Sequence, residues 1–140
     1  MGGVELKALG KHLLIELYGC QARTLDDMAH IRATMLEAAK MVHATVLGVT
    51  EHQFEPHGVS IVVVIAESHL SIHTWPEHGY AAVDVFTCGN NLPSEQVVEF
   101  ISQGLEARQA VSMEVQRGLL SDSAARPGGE YLAVPVAARS

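Results

Sequence analysis

Apolar residues recur along this chain with a period that changes several times, and each change marks an element. Over residues 12–18, Leu13, Ile15 and Leu17 occupy alternate positions, which predicts a strand stopped by Gly19. From residue 25 the spacing lengthens. Leu25, Met28, Ile31, Met35, Ala39 and Val42 form one stripe, and Arg32, Glu37 and Lys40 fall largely on the other side. This predicts an amphipathic helix to about His43, capped by Thr24, with Asp26 and Asp27 suiting its positive start. Residues 45–54 read as a strand and residues 55–58 (Glu-Pro-His-Gly) as a turn. The β-branched run at 59–66 reads as a buried central strand, paired as an antiparallel hairpin with the one before it. Leu70, Ile72 and Thr74 then alternate with His69, Ser71 and His73, so that a strand here has one apolar face and one carrying chemistry. After a turn at 76–79, residues 80–87 place Ala81, Val83 and Val85 on one side, with Asp84, Phe86 and Cys88 on the other.

Asn90 to Glu95 has the composition of a helix entry, with Pro93 near the first turn, and Val97, Val98, Ile101 and Leu105 form the stripe of a second helix. Residues 110–117 alternate Val111, Met113 and Val115 with Ser112, Glu114 and Gln116, the pattern of a half-solvated strand. The predicted order is β-α-β-β-β-β-α-β. It fits an α+β two-layer sandwich, one largely antiparallel sheet covered on one face by two helices. Residues 1–120 form a single domain in this reading. Residues 121–140 form a flexible tail, with 124–129 expected to be disordered and 131–136 of strand composition. The uncovered sheet face would be half apolar, which is awkward for a monomer. A symmetric dimer that buries it, sheet on sheet or by edge pairing, is the expected remedy.

Composition narrows the partners. The 140 residues carry a net charge of −7, which argues against nucleic acid and anionic membrane surfaces as partners. The first residues lack the apolar core of a secretory signal, and no apolar run approaches a membrane span. Cys20 and Cys88 are therefore expected to be reduced thiols in a cytoplasmic protein.

The stretch from Glu67 to Tyr80 concentrates chemistry that the periodic pattern leaves over: His69, His73, His78, Ser68, Ser71, Glu67, Glu77 and the only tryptophan, Trp75. One reading is scattered surface polarity. A second is a metal site, but on a strand His69 and His73 lie about 13 Å apart, too far to share one ion. A third pairs Cys88 as nucleophile with His73 or His78. A fourth takes Glu67–Ser68 as a reactive bond. The Ser68 hydroxyl attacks the Glu67 carbonyl to give an ester, and β-elimination cleaves the chain. Residue 68 passes through dehydroalanine to a pyruvoyl group, whose ketone forms a Schiff base with a substrate amine and takes up the electrons of a leaving carboxylate. His73, Ser60 and Cys88 have the right chemistry to assist. From the residues alone these readings stay open.

The run Glu67-Ser-His-Leu-Ser-Ile-His-Thr-Trp-Pro-Glu77, followed by Ala-Val-Asp-Val-Phe-Thr-Cys-Gly at 82–89, resembles the short prokaryotic S-adenosylmethionine decarboxylase proenzyme family. The likeness extends over about residues 9–117. It implies autocatalytic cleavage at Glu67–Ser68, with Ser68 becoming the covalent pyruvoyl cofactor. It implies His73 as acid/base and Ser60 as assisting hydroxyl in processing, and Cys88 as proton donor in decarboxylation. Phe54 and Trp75 fall at the positions of aromatics that sandwich adenine, and Glu77 at that of the carboxylate holding the ribose hydroxyls. The substrate implied is S-adenosylmethionine, the product the aminopropyl donor for spermidine synthesis, and the assembly a homodimer of cleaved protomers with shared sites. Without a ligand, Phe54 and Trp75 would be packing residues and Ser60 a backbone-bonding hydroxyl. His69 and His78 read as structural or rim residues. Two alternatives accompany this reading: an arginine or ornithine decarboxylase of the same pyruvoyl type, and a non-enzymatic metal-binding module using His69, His73, His78 and Cys88.

Overall fold

The structure, a computed structural model, describes residues 7–89, 91–120 and 133–139, with Lys7 and the last segment as backbone only. Its elements are β1 (Lys7–Tyr18), α1 (Ala22–Leu25), α2 (Met28–Met41), β2 (Val46–Gln53), β3 (Val59–Ile65), β4 (Ser68–Trp75), a 3-10 turn at Pro76–His78, β5 (Tyr80–Cys88), α3 (Ser94–Gly104), β6 (Gln109–Leu120) and β7 (Ala133–Arg139). The strands form one sheet in the order β2-β3-β4-β5-β1-β6-β7, with every neighbouring pair antiparallel. The α+β two-layer architecture expected from the sequence is the one observed.

Alternation decides what each strand buries. Leu13, Ile15 and Leu17 of β1, Ile61 and Val63 of β3, Leu70 and Ile72 of β4, and Val83 and Val85 of β5 lie on the helix-covered face, all but inaccessible to solvent. They meet Ile31, Met35, Ala38 and Ala39 of α2 and Val97, Val98 and Ile101 of α3. Each fully buried Leu or Ile contributes about 1.5–3 kcal/mol relative to exposure, so this face holds the domain together.

The structure departs from the sequence reading in three places. The first helix is broken. Thr24 lies inside the short α1 and donates its hydroxyl to Glu106, and the cap of α2 is Asp27, whose carboxylate accepts the His30 amide at 3.1 Å. Two successive acids allow this, because one can cap while the other turns away. On β6 the polar and apolar sets are exchanged relative to the helices: Ala110 and Ser112 are buried, whereas Val111 and Met113 are exposed on the open face. Antiparallel pairing to β1 forces that choice, since Met113 stands opposite Leu14 and Val111 opposite Glu16. The cost is visible at the Ser112 hydroxyl, which is buried without a hydrogen-bond partner among the described residues. Finally, part of the segment after residue 120 is a strand. Ala133–Arg139 pairs with β6 as the last strand of the sheet among the described residues, an edge position of the kind where a proline such as Pro135, lacking an amide donor, is tolerated. Residues 124–129, expected to be disordered, lie outside the described residues.

Candidate active site

β3 and β4 are joined by two residues only, Ala66 and Glu67, since Ile65 pairs with Ser68. Such tight hairpins need a positive φ that Gly or Asn adopts readily. Here Glu67 takes it, at φ 68°. The left-handed conformation costs an ordinary residue about 1–2 kcal/mol. The strained residue supplies the carbonyl of the Glu67–Ser68 bond. Glu67, Ser68 and Cys88 line a pocket of about 240 Å³ together with Leu9, Gly10 and Phe86. Gly10 is required there, because a Cβ would stand 2.6 Å from the Thr87 carbonyl oxygen. Cys88 is exposed, and its thiol pKa is raised, first by a hydrogen bond to the Glu67 carboxylate and then by partial desolvation. The neighbouring negative charge keeps this sulfur protonated and able to donate a proton.

The other candidate residues gather at the opposite end of β4. Ser60 stands opposite His73 in the β3–β4 register, and its hydroxyl shares a 2.7 Å hydrogen bond with His73 Nδ1. Both open into a cleft of about 540 Å³ whose walls include Phe54, Trp75, Glu77 and His57. Phe54 and Trp75 are 46% and 40% exposed, so two aromatic rings are presented to the cleft rather than spent on the core. Each is braced from behind. His52 meets Phe54 edge-on at 4.5 Å, and Tyr80 lies against Trp75 at 5.3 Å. The Tyr80 hydroxyl in turn donates to the Glu16 carboxylate at 2.7 Å. Burial, with that hydrogen bond, holds the phenol above its ordinary pKa.

The turn carrying Phe54 and His57 is fastened from outside. Asp26 Oδ1 accepts both the Gly58 amide and the Gln53 side-chain amide, each at 2.8 Å. Gly58 itself has φ 112°, and a Cβ there would press on the Thr74 carbonyl oxygen at 3.2 Å. Between the two clusters, on the open face, Asp84 accepts from His12 at 2.8 Å and from the Ser71 hydroxyl at 3.0 Å. The His12 bond, with Ser71 assisting, lowers the Asp84 pKa against the opposing effect of burial. His69 meets Phe86 edge-on nearby, and Arg117 lies 4.5 Å over the Phe86 ring. His78 is exposed on the 3-10 turn, and Cys20 is buried just past β1.

The eight sequence-predicted site residues thus form two groups. Glu67, Ser68 and Cys88 are together, as are Ser60, His73, Phe54, Trp75 and Glu77. Ser68 and His73 are five residues apart on one strand, about 17 Å. Within one chain His73 does not reach the Glu67–Ser68 bond. Among the described residues, no three His, Cys, Asp or Glu side chains converge as a metal site would require.

A family model for S-adenosylmethionine decarboxylase matches residues 11–118. The chain belongs to that family. It is 52% identical over 114 residues to an S-adenosylmethionine decarboxylase proenzyme of Caldanaerobacter subterraneus, covering 81% of this chain and 92% of that relative. A proenzyme of the same name from Thermodesulfovibrio yellowstonii is 48% identical over 114 residues, with 81% and 84% covered. The crystal structure of the adenosylmethionine decarboxylase from Aquifex aeolicus superposes with a TM-score of 0.76 at 38% identity, over 86% of this chain and 99% of that one. The comparisons lend no support to the arginine, ornithine or metal-binding alternatives.

Two features of this S-adenosylmethionine decarboxylase family chain escaped the sequence reading. Asp26 reads as a helix-start acid, and only the break between α1 and α2 frees it to hold the 54–58 turn. His57 reads as a turn residue, yet its Nε2 lies 3.2 Å from Glu77 Oε1. Neither has a periodic signal, because both act across elements distant in sequence.

Proposed function

We propose that the chain is a proenzyme that cleaves itself at Glu67–Ser68 and then decarboxylates S-adenosylmethionine in the cytoplasm, giving the aminopropyl donor of spermidine synthesis. The observation carrying this reading is the Glu67–Ser68 turn, a left-handed non-glycine residue placed directly before a serine and beside a protonated thiol. Family membership supports the same reaction.

In the uncut chain the Ser68 oxygen attacks the Glu67 carbonyl carbon, and the peptide nitrogen leaves as the free amine of residue 68. Removal of the Ser68 α-proton expels the Glu67 carboxylate and leaves a dehydroalanine. Its imine tautomer adds water at the carbon and expels ammonia, leaving a ketone. The resulting pyruvoyl group supplies an electrophilic ketone and an electron sink for a leaving carboxylate. The residues around Ser68 fit such a group, since the pocket is open and the thiol of Cys88 lines it.

The remaining roles belong to side chains. His73 has Nδ1 engaged by Ser60, which leaves Nε2 as the nitrogen that moves protons during processing. Cys88 returns a proton to the substrate α-carbon after carbon dioxide leaves. Phe54 and Trp75 stack on the adenine, where each ring–base contact is worth about 1–3 kcal/mol. Their faces also attract the sulfonium charge. Glu77 accepts the two ribose hydroxyls.

The 17 Å between Ser68 and His73 supports a homodimer in which each site combines the Ser68 pocket of one protomer with the Ser60–His73 cleft of its partner. The apolar residues on the open sheet face, Leu14, Val64, Val111 and Met113, supply a surface for that contact. Among the described residues no helix is long and apolar enough to cross a membrane.

Denaturing mass spectrometry tests the processing. The expected result is two fragments, 1–67 and 68–140, the second with an amine-free start that reacts with hydroxylamine. Carbon dioxide release is then measured with S-adenosylmethionine, arginine and ornithine. An intact single mass, or release from arginine or ornithine alone, would overturn the proposal.

A further inference from the structure

The cleft contains one imidazole–carboxylate contact that the roles above leave unexplained. His57 Nε2 lies 3.2 Å from Glu77 Oε1, with the two side chains 36% and 46% exposed. The two residues come from different turns, His57 from the segment between β2 and β3, and Glu77 from the 3-10 turn after β4. Neither turn is free to drift. Asp26 fixes the first through the Gly58 amide and the Gln53 side chain. The second is closed by the Gly79 amide bonding the Pro76 carbonyl, and the Gly79 carbonyl accepts the Cys20 amide at 2.9 Å.

We propose that His57 is a positioning residue for Glu77 and thereby sets the preference of the cleft for a substrate with a ribose cis-diol. The inference rests on the reading that Glu77 receives the ribose. A half-exposed glutamate on a surface turn samples several rotamers, and freezing it on binding costs affinity. The ring nitrogen, 3.2 Å from Oε1, holds the carboxylate on that side of the cleft beforehand. It occupies one of about four acceptor directions, so Oε2 and the remaining Oε1 direction stay available for two hydroxyl donors. A substrate lacking one hydroxyl leaves part of that prearranged carboxylate unpaired, which is how a polar site rejects a deoxy analogue. His57 touches Glu77 rather than the reacting carbons, so its effect belongs in binding and discrimination, not in chemistry.

The test uses fully processed wild type, His57→Ala, His57→Gln and Asp26→Asn, assayed for carbon dioxide release from S-adenosylmethionine and from its 2′-deoxy analogue. For His57→Ala, KM for S-adenosylmethionine rises about tenfold with kcat within about twofold, as expected when the carboxylate loses the contact that holds it for binding. KM for the deoxy analogue rises by much less, so discrimination narrows. His57→Gln, which keeps an N–H donor, restores most of it. Asp26→Asn, which weakens the clamp on the turn, shifts discrimination in the same direction as His57→Ala. Equal KM increases for both substrates, or an unchanged ratio in His57→Ala, would overturn the proposal. A His57→Gln variant as impaired as His57→Ala would do the same. Failure of the underlying reading looks different: wild type itself then releases no carbon dioxide from S-adenosylmethionine, or does not discriminate between it and the analogue.

Discussion

The separation of Ser68 from His73 can be tested by letting two damaged chains repair each other. The perturbation is co-expression of Ser68→Ala with His73→Ala, each tagged differently. In the structure the two residues sit five positions apart on β4, about 17 Å, whereas an imidazole nitrogen reaches roughly 6 Å from its own backbone. If each site takes Ser68 from one chain and His73 from the other, neither homodimer can process. A heterodimer has one site with both residues mutated and one with both intact. Random pairing in equal amounts puts about half of the His73→Ala chains into heterodimers of two-fold symmetry. About half of those chains should therefore be cut at Glu67–Ser68, and none when His73→Ala is expressed alone. Denaturing mass spectrometry of the His73→Ala chain after tandem purification reads the fraction directly. In the doubly tagged heterodimer the cut should be close to complete for that chain and absent from its Ser68→Ala partner. Intact His73→Ala chains in a verified heterodimer would refute the shared site and would require a rearrangement within one protomer larger than the sheet permits.

Three further outcomes follow from named contacts. In a Ser68→Ala background, Glu67→Gln should lower the Cys88 pKa towards the ordinary thiol value, since the Glu67 carboxylate is the first cause of its elevation. The rate of iodoacetamide modification against pH measures this, and an unshifted midpoint contradicts the contact. Asp84, held below the ordinary carboxylate pKa chiefly by its hydrogen bond to His12, contributes stability that is present above the unfolded-state pKa and is lost as pH falls through the lower folded one. His12→Gln should therefore flatten the acid limb of a urea-stability profile below about pH 5. A profile as steep as wild type would disprove the linkage. Met113→Glu places a charge on the open face, where dimer contact would bury it at a cost of several kcal/mol. Sedimentation should show monomers, with helix and strand content unchanged and cleavage lost. A cleaved dimer would exclude this face from the interface.

The sequence carried those parts of the fold that periodicity can encode. The β-branched run at 59–66 and the alternation at 80–87 read as strands, and strands form there with Ile61, Val63, Val83 and Val85 towards the helices. At β6 the same rule misleads. Val111 and Met113 are the apolar set, but the helices take Ala110 and Ser112. A pattern gives two faces without saying which one a monomer buries and which it keeps for a partner. The helix start was misread for a related reason. Thr24 and Asp27 are both competent caps, and the choice depends on Glu106 and Gly58, contacts remote in sequence that draw Thr24 and Asp26 away.

The site shows the same division. The candidate residues Ser68, His73 and Cys88 stand out in the sequence because they are costly to explain as packing, but their grouping does not. Sequence places Ser68 nearer to His73 than to Cys88, whereas the fold does the reverse: the hairpin from β4 to β5 returns Cys88 to the Ser68 end, and β4 carries His73 away from it. β4 thus acts as a spacer, with the proposed cleavage bond at its first residue and the candidate cleft at its last, Trp75. Two such strands related by a two-fold axis across the sheet face run in opposed directions, so the start of one can lie over the end of the other. In the proposed homodimer that geometry would account for a face between the clusters that combines an ordered polar centre, His12–Asp84–Ser71, with uncovered apolar side chains such as Leu14 and Met113. The polar centre can fix register between copies while the apolar residues supply the association energy. On this argument the two half-sites tolerate little sliding, because a shift of one residue along β4 moves His73 by about 3.3 Å, more than a hydrogen bond to the Ser68 region allows.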